Sequence, residues 1–548
     1  MPTIAFSLKD LNKLVGAKLT IDKLEELVDF AKGEIKSVDK DEVQVNFDDT
    51  NLPYLWSVEG FARLLKGILQ KETGLPKLKA KKGNFKIIVD KNMHKVRPYI
   101  AAFVVKGKKG IKVDDYLIKQ LIQLQEKFCI NYGKKREKAA VGIYSFNKIK
   151  FPVSYKLVDP EKAKFAPLDF KREITLSEIL EVHPKGQEYK WILEGHKRYP
   201  LIVDSKGEVL SFPPIINSNF SGKVEEGDSD LFFEVTGTDL NTVLLAANIF
   251  AFAFMDRGFD IYTVTVQYPS TKMVTPKPFN QKMKLNAKLV EDILGLKLKE
   301  SEIKKLLARA RFDYNKGVVK IPDYRWDILH PVDLVEEVGI IYGFNNIPEQ
   351  SVPPSTSGEE LPIVGFVDKF REVMIGLGYQ EIMSGMLTNK NLLYDKMNIE
   401  DFGTVEIKEY MSELYSVVRT WILPQLMSVL QKNKHVEYPQ KIFEAGLITK
   451  KLDLKDYERL AVVCAHKDAD FTEIKQVLEA LFRATGFSYE LKDVKHGSFI
   501  EGRVGRVIVN GKKVGFIGEI HPQVLENFNL EVPVIALELN LTDLFEAK

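Results

Sequence analysis

"DILHPVDLVEEVGIIYGF", residues 327–344, carries four carboxylates, Asp327, Asp333, Glu336 and Glu337, with no basic residue among them. Pro331 suits the first turn of a helix, where its missing N–H would be unpaired in any case. A helix starting there sets Asp333, Glu336 and Glu337 at i, i+3 and i+4, on one face and in its N-terminal half. The helix macrodipole favours negative charge at that end by roughly 0.3–1 kcal/mol per acid. That accounts for one or two of the acids, and Asp327, outside the helix, needs another reason. An oxygen-rich cluster also suits a hard cation such as Mg²⁺, which keeps water or partner ligands at its remaining positions. From spacing, a helix start, a cation site and a docking surface all remain open.

Outward from this stretch, the chain of 548 residues is too long for one core, and roughly three to five domains are expected. With 45% hydrophobic and 28% charged residues it reads as soluble and globular. Cys129 and Cys464 have apolar surroundings and cannot staple a secreted fold, which points to a reducing, cytoplasmic setting. The opening "MPTIAFSLKD" has no basic region or long apolar run, so no signal peptide is expected. The longest apolar run, "VLLAANIFAFAFM" (243–255), falls short of the about 20 residues a membrane span requires. It reads as a buried helix, and no membrane partner is expected. The eight histidines show no HxxxH spacing and there is no CxxC, which argues against zinc.

Net charge is only +3, but twelve Lys/Arg stand against one acid, Asp90, between Lys77 and Lys112. From Glu225 to Asp239 there are six acids and no base. The basic stretch fits a polyanion such as RNA, or equally a solvated lysine-rich surface.

Proline-rich stretches at 268–280 ("YPSTKMVTPKPFN") and 348–362 ("PEQSVPPSTSGEELP") read as linkers, with a weaker break near 75–84. They divide the chain into domains 1–84, 85–268, 270–347 and 362–548. Helices and strands are partly segregated along the sequence, so the expected class is multidomain α+β.

A second constellation joins "VLSFPPIINSNFSG" (209–222) to "LFFEVTGTDLN" (231–241). Two prolines stiffen the first loop, which then presents Asn217, Ser218 and Asn219. Glu234, Thr236, Thr238 and Asp239 alternate off a strand into a turn. Polar groups on rigid loops suit a small polar ligand, although the same residue types are ordinary turn formers. No nucleophile and base stand together, so hydrolysis there would rely on oriented water or substrate hydroxyls. The chain has no GxxxxGK[ST], GxGxxG or HExxH motif and no arginine after Arg506, which makes the C-terminal quarter a poor cradle for a triphosphate.

Taken in order, these segments resemble the β subunit of phenylalanyl-tRNA synthetase in its archaeal and eukaryotic form. "YRWDILHPVDLVEEVGIIYGFNNIP" is similar to that family's B5 signature. "HPKGQEYKWIL", "YPLIVDSKGEVLSFPPIIN" and "VTGTDL" resemble its B3/B4 editing domain, and "SVEGFARLLKG" its B1 element. "QKIFEAGLI" and "IGEIHPQVL" resemble its class II synthetase-like core. The resemblance implies a B1-like domain, an editing domain, a winged-helix-like B5 domain and a catalytically silent antiparallel core. It implies Mg²⁺ bound by Asp327, Asp333, Glu336 and Glu337 and shared with a catalytic α subunit. Ser211, Asn217, Glu234 and Thr236 would line a pocket that hydrolyses tyrosine wrongly attached to tRNA(Phe). The complex implied is an (αβ)₂ heterotetramer that uses ATP on α.

The sequence departs from the family's usual pattern at two places: "NLPYLWS" (51–57) replaces Asn-Arg-Pro-Asp-Leu-Leu-Ser, and Phe128-Cys129 replaces Leu-His. Two rival readings are a free-standing tRNA-binding or trans-editing protein, which would be monomeric, and a purely structural docking module, which would have no deacylase activity.

Overall fold

The computed structural model describes residues 2–108, 110–351 and 357–548. The chain divides into two compact units, 1–350 and 351–548. The division falls inside the proline-rich stretch expected at 348–362, of which residues 352–356 lie outside the described residues.

In the first unit, the helix α1 (Val58–Ile68) is N-capped by Ser57 and almost wholly buried. A 10-stranded sheet follows. Its strands are β1 (Ala80–Val89), β2 (Tyr99–Lys106), β3 (Ala139–Ser145), β4 (Val153–Val158), β5 (Tyr199–Val203), β6 (Val209–Phe212), β7 (Ile216–Asn217), β8 (Asp230–Gly237), β9 (Asp260–Gln267) and β10 (Lys272–Thr275). Their order is β7-β6-β5-β4-β1-β9-β2-β8-β3, with β10 paired to β9. The stretch at 268–280 is therefore not a free linker: Lys272–Thr275 forms four register pairs with β9. Thr275 Oγ1 also reaches across to donate to Ala102 O and accept from Ala102 N–H. Pairing satisfied the backbone where proline content alone suggested a break.

Two helices flank this sheet. α2 (Asp115–Ile130) is capped by Asp114, and α3 (Leu240–Asp256) by Asp239. α3 is apolar all round and buried along most of its length, as the run 243–255 predicts. Its buried side chains join one core that also takes in Ile4, Phe61, Phe233, Leu307 and Ile341. The three N-terminal segments thus share a single core. No described helix is long and apolar enough to cross a membrane.

The acidic helix α4 (Pro331–Tyr342) starts where Pro331 predicts. His330 is its N-cap, its side chain accepting from Val332 N–H. Asp333 closes the capping box by accepting from His330 N–H at 2.8 Å and Leu329 N–H at 2.7 Å.

In the second unit a seven-stranded sheet carries β11 (Gln380–Glu381), β12 (Gln440–Lys450), β13 (Lys455–Ala465), β14 (Glu490–Asp493), β15 (Phe499–Val509), β16 (Lys512–Ile520) and β17 (Val534–Asn540). Its order is β11-β12-β13-β17-β16-β15-β14. All neighbours are antiparallel except β11 on β12. One face packs on α5 (Pro362–Gly376) and α6 (Phe471–Thr485) through Phe370, Leu478 and Leu537. The whole is the multidomain α+β class expected.

Candidate functional site

β8 alternates with period two. Leu231, Phe233 and Val235 enter the core with α3, which leaves Glu234 and Thr236 pointing to the opposite face, both buried. Opposite them in the paired strands stand Gly142 and Ala140 of β3 and Ala102 and Ile100 of β2. The small residues leave room. A Cβ on Gly142 would come within 2.4 Å of Glu234 Oε1 and 2.3 Å of Tyr144 Oη, so that position must stay free of a side chain.

The result is a cavity of about 340 Å³. Its lining includes Ser211, Asn217, Glu234 and Thr236, the four residues expected to form a pocket, with Leu121, Val141, Ile143, Pro213, Pro214 and Arg136 around them. Thr238 and Asp239 lie outside it: Thr238 donates to Glu137 O and Asp239 caps α3.

The walls are mostly aliphatic while the polar floor is incompletely paired. Glu234 Oε1 accepts from Tyr144 Oη at 2.9 Å, but Oε2 is buried without a partner. Ser211 Oγ is likewise buried and, among the described residues, unpartnered, with the Tyr144 side chain beside it. Burial pushes the Glu234 carboxyl up to about 7, against the opposing influence of the Tyr144 hydrogen bond and the Arg97 charge. Arg97 is fully buried and fixes the adjacent strand, donating to Thr236 Oγ1 at 3.0 Å and Thr236 O at 2.7 Å. Arg136 holds the proline loop by donating to Pro214 O and Ile215 O at 3.1 and 2.8 Å. Unpaired buried polar atoms are costly and uncommon, and here two line one cavity. They suit a ligand with an apolar body and a hydroxyl tip.

Tyr144, Arg97, Arg136 and Gly142 were not singled out from sequence. Their signal is tertiary, since they lie on strands and loops remote in the chain from both motifs. The departure at Phe128-Cys129 falls outside the cavity: both side chains are buried, with Phe128 against Tyr132.

The acidic stretch is built differently from its expectation. Its carboxylates do have basic partners, supplied from outside the quoted segment. Arg325, two residues before Asp327, is buried and donates to both Asp327 carboxylate oxygens and, at 2.6 Å, to Glu337 Oε1. Burial opposes the charge of this guanidinium, yet the two carboxylates hold it protonated. It also lies over the rings of Tyr54 and Phe312. Glu336 pairs with Lys32 at 2.7 Å, which also meets Asp49. Asp333 is turned back onto the backbone N–H groups of its own helix start.

The four acids therefore diverge to three different partners. Among the described residues they form no group of three whose oxygens all lie within 4.8 Å of one another. Spacing put three of them on one helical face, but side-chain reach dispersed them. As arranged, they do not fit a shared cation. Tyr54, which stands in the departing loop 51–57, is buried beside Arg325 and explains what that loop does here: it packs against the clasp.

Comparison with known proteins agrees with this architecture. Residues 283–344 match the family described as tRNA synthetase B5 domain, which places the chain among the components of aminoacyl-tRNA synthetases. Residues 347–541 match phenylalanyl tRNA synthetase beta chain CLM domain. The chain is 42% identical over 558 residues to the phenylalanine–tRNA ligase beta subunit of Pyrococcus horikoshii, covering 100% of both chains. To that of Archaeoglobus fulgidus it is 40% identical, covering 100% of this chain and 99% of the relative. The crystal structure of an N-terminal fragment of the Pyrococcus horikoshii phenylalanyl-tRNA synthetase beta subunit aligns with a TM-score of 0.60 at 39% identity. That alignment covers 62% of this chain and 99% of the fragment. The chain belongs to the phenylalanine–tRNA ligase beta subunit family.

Proposed function

We propose that the cavity around Glu234 is a proofreading site that hydrolyses tyrosine wrongly attached to tRNA(Phe). The single observation that carries this is the pair of unpartnered oxygens, Glu234 Oε2 and Ser211 Oγ, in an otherwise apolar cavity. A phenol supplies a donor and an acceptor to them, whereas a phenyl ring leaves both unpaired. That asymmetry is the kind that discriminates strongly. Tyr144 and Arg97 hold the carboxyl and the neighbouring strand, and the Arg136-clamped loop with Asn217 sets the wall. The cavity offers no nucleophile and base pair, so the attacking group is an oriented water or a tRNA hydroxyl. The test is deacylation of tyrosyl-tRNA by the Glu234→Ala and Asn217→Ala variants. Unchanged rates in both would remove the cavity from the reaction.

In this reading the chain is the non-adenylating member of an (αβ)₂ complex, with ATP-dependent activation of phenylalanine on α. The arginines of the second unit support it, being largely spent on internal structure. Arg371, Arg419, Arg459 and Arg503 are in ion pairs, and Arg506 lies over Phe516. Phenylalanine-dependent ATP–pyrophosphate exchange by the isolated chain would overturn this division of labour. Exposed Met383, Leu387, Met411, Leu414 and Tyr415 around the small β pair at 387–388 and 417–418 suit docking of another protein chain. Mg²⁺ and ATP belong here to the chemistry of the complex. A four-carboxylate Mg²⁺ site at Asp327, Asp333, Glu336 and Glu337 would require the Arg325 clasp and the helix cap to open, and no step is routed through it.

A further inference from the structure

A third cluster of chemistry-bearing side chains lies in the second unit, far in sequence from both regions above. Cys464 sits near the end of β13, buried and directed into the core with Tyr379. His466 follows two residues later, just past the end of the strand. The next turn leads into α6, N-capped by Asp470, whose first turn carries Glu473. Strand, turn and helix thus bring a thiol, an imidazole and a carboxylate together. Cys464 Sγ is 3.7 Å from Glu473 Oε1, and His466 Nε2 is 2.7 Å from Glu473 Oε2. Among the described residues this is the only group of three potential metal ligands whose donor atoms lie within 4.8 Å of one another.

We propose that Cys464, His466 and Glu473 bind one divalent cation of the zinc class, with a fourth position open to the adjoining cleft. The donor set is one thiolate, one imidazole and one carboxylate, which suits borderline-soft Zn²⁺ or Co²⁺ rather than Mg²⁺. Three protein ligands with a free position is the arrangement of an open zinc site. The cleft, about 570 Å³, is lined by His466, Glu473, Lys441 and Lys467 and gives water access to that position.

Without metal, two protons occupy the point where the ligands converge. The thiol and the imidazole Nε2–H both donate to Glu473, since His466 Nδ1 accepts from Asp468 N–H at 3.2 Å. On binding, the thiol proton leaves to solvent and an S–metal bond forms. The imidazole proton moves from Nε2 to Nδ1, giving up the one long bond from Asp468. Burial, with the Glu473 charge, pushes the free thiol up to about 12, so binding at neutral pH must release this proton.

Two neighbours complete the site. Lys441, opposite Cys464 in β12, holds Glu473 Oε1 at 3.3 Å. Tyr379 Oη is buried with no hydrogen-bond partner among the described residues, and burial first, then the nearby Cys464 and Glu473, pushes its pKa up. A thiolate at Cys464 would give that hydroxyl an acceptor.

The experiment is titration of the full-length, metal-free chain with Co²⁺ and then Zn²⁺ alone. One equivalent is expected, with a thiolate-to-cobalt absorption band in the near ultraviolet that Cys464→Ser abolishes. His466→Ala and Glu473→Gln should each weaken Zn²⁺ binding at least about 10-fold, with circular dichroism unchanged. In the unmodified chain, affinity should rise about tenfold per pH unit as the thiol proton is released, a readout independent of any variant's folding. No saturable binding, a band that survives Cys464→Ser, or affinity independent of pH would each overturn the site and leave an ordinary salt-bridged turn.

Discussion

Acids at two places in the first unit show opposite solutions to one problem. Asp327 and Glu337 share a buried guanidinium, and every charge in that clasp has a partner. Glu234 is more deeply buried, yet among the described residues one of its oxygens has no partner, and its carboxyl is pushed up to about 7. A fully paired buried acid is a structural fastening, because its hydrogen-bonding capacity is already used. An acid left half-satisfied inside a cavity retains that capacity for a ligand, at a cost in stability to the free protein. The difference separates the two clusters that the sequence put forward as candidate sites.

The largest expected effect is on the clasp. Arg325→Ala leaves two partly buried carboxylates uncompensated and should destabilise the first unit by up to about 3 kcal/mol in urea unfolding. A loss below about 1 kcal/mol, in the range of exposed pairs, would make the clasp an incidental contact and reopen the acids to a cation. Chelator should leave this unfolding transition unchanged.

Next comes the pH response of Glu234. A carboxyl raised from its ordinary 4.5 to about 7 stabilises the fold below the unfolded pKa, and that contribution is lost as pH rises through the folded one. Glu234→Gln should therefore be more stable than the unmodified protein at pH 8 by up to about 3 kcal/mol, with the gap closing near pH 4.5. Equal stability at both pH values would mean the carboxyl is paired after all. The same variant should lose tyrosyl-tRNA deacylation, separating stability from function.

Gly142→Ala places a methyl against Glu234 and Tyr144. Deacylation should fall while α-dependent aminoacylation persists. Ser211→Ala should reduce discrimination between tyrosyl- and phenylalanyl-tRNA about 10-fold, the equivalent of one buried hydrogen bond of about 1.4 kcal/mol. Smallest is Asp333→Ala, whose loss of the capping box should cost about 1 kcal/mol with no effect on deacylation.

Much of the fold was legible because its signals are local. Pro331 marked the start of α4, the apolar run at 243–255 marked the buried helix, and alternation marked β8. The stretch 268–280 misled because prolines report backbone constraint, not whether a neighbouring strand is available to pair. The four pocket residues could be named from their two motifs by resemblance, but Tyr144, Gly142, Arg97 and Arg136 carry no mark of their role in sequence. Each acts through a neighbour supplied by a different strand or loop.

Sequence by itself determined where the acids of 327–344 lie, that three of them share a helical turn, and that Asp327 stands apart. Those are consequences of helical period and proline stereochemistry, both properties of adjacent residues. Only the tertiary structure decided that Arg325 curls back onto Asp327 and Glu337, that Lys32 arrives from residues some 300 positions away to take Glu336, and that Glu234 is held by Tyr144 rather than by an ion pair among the described residues. Partner choice depends on distance and burial, and those quantities exist only once remote segments share a core.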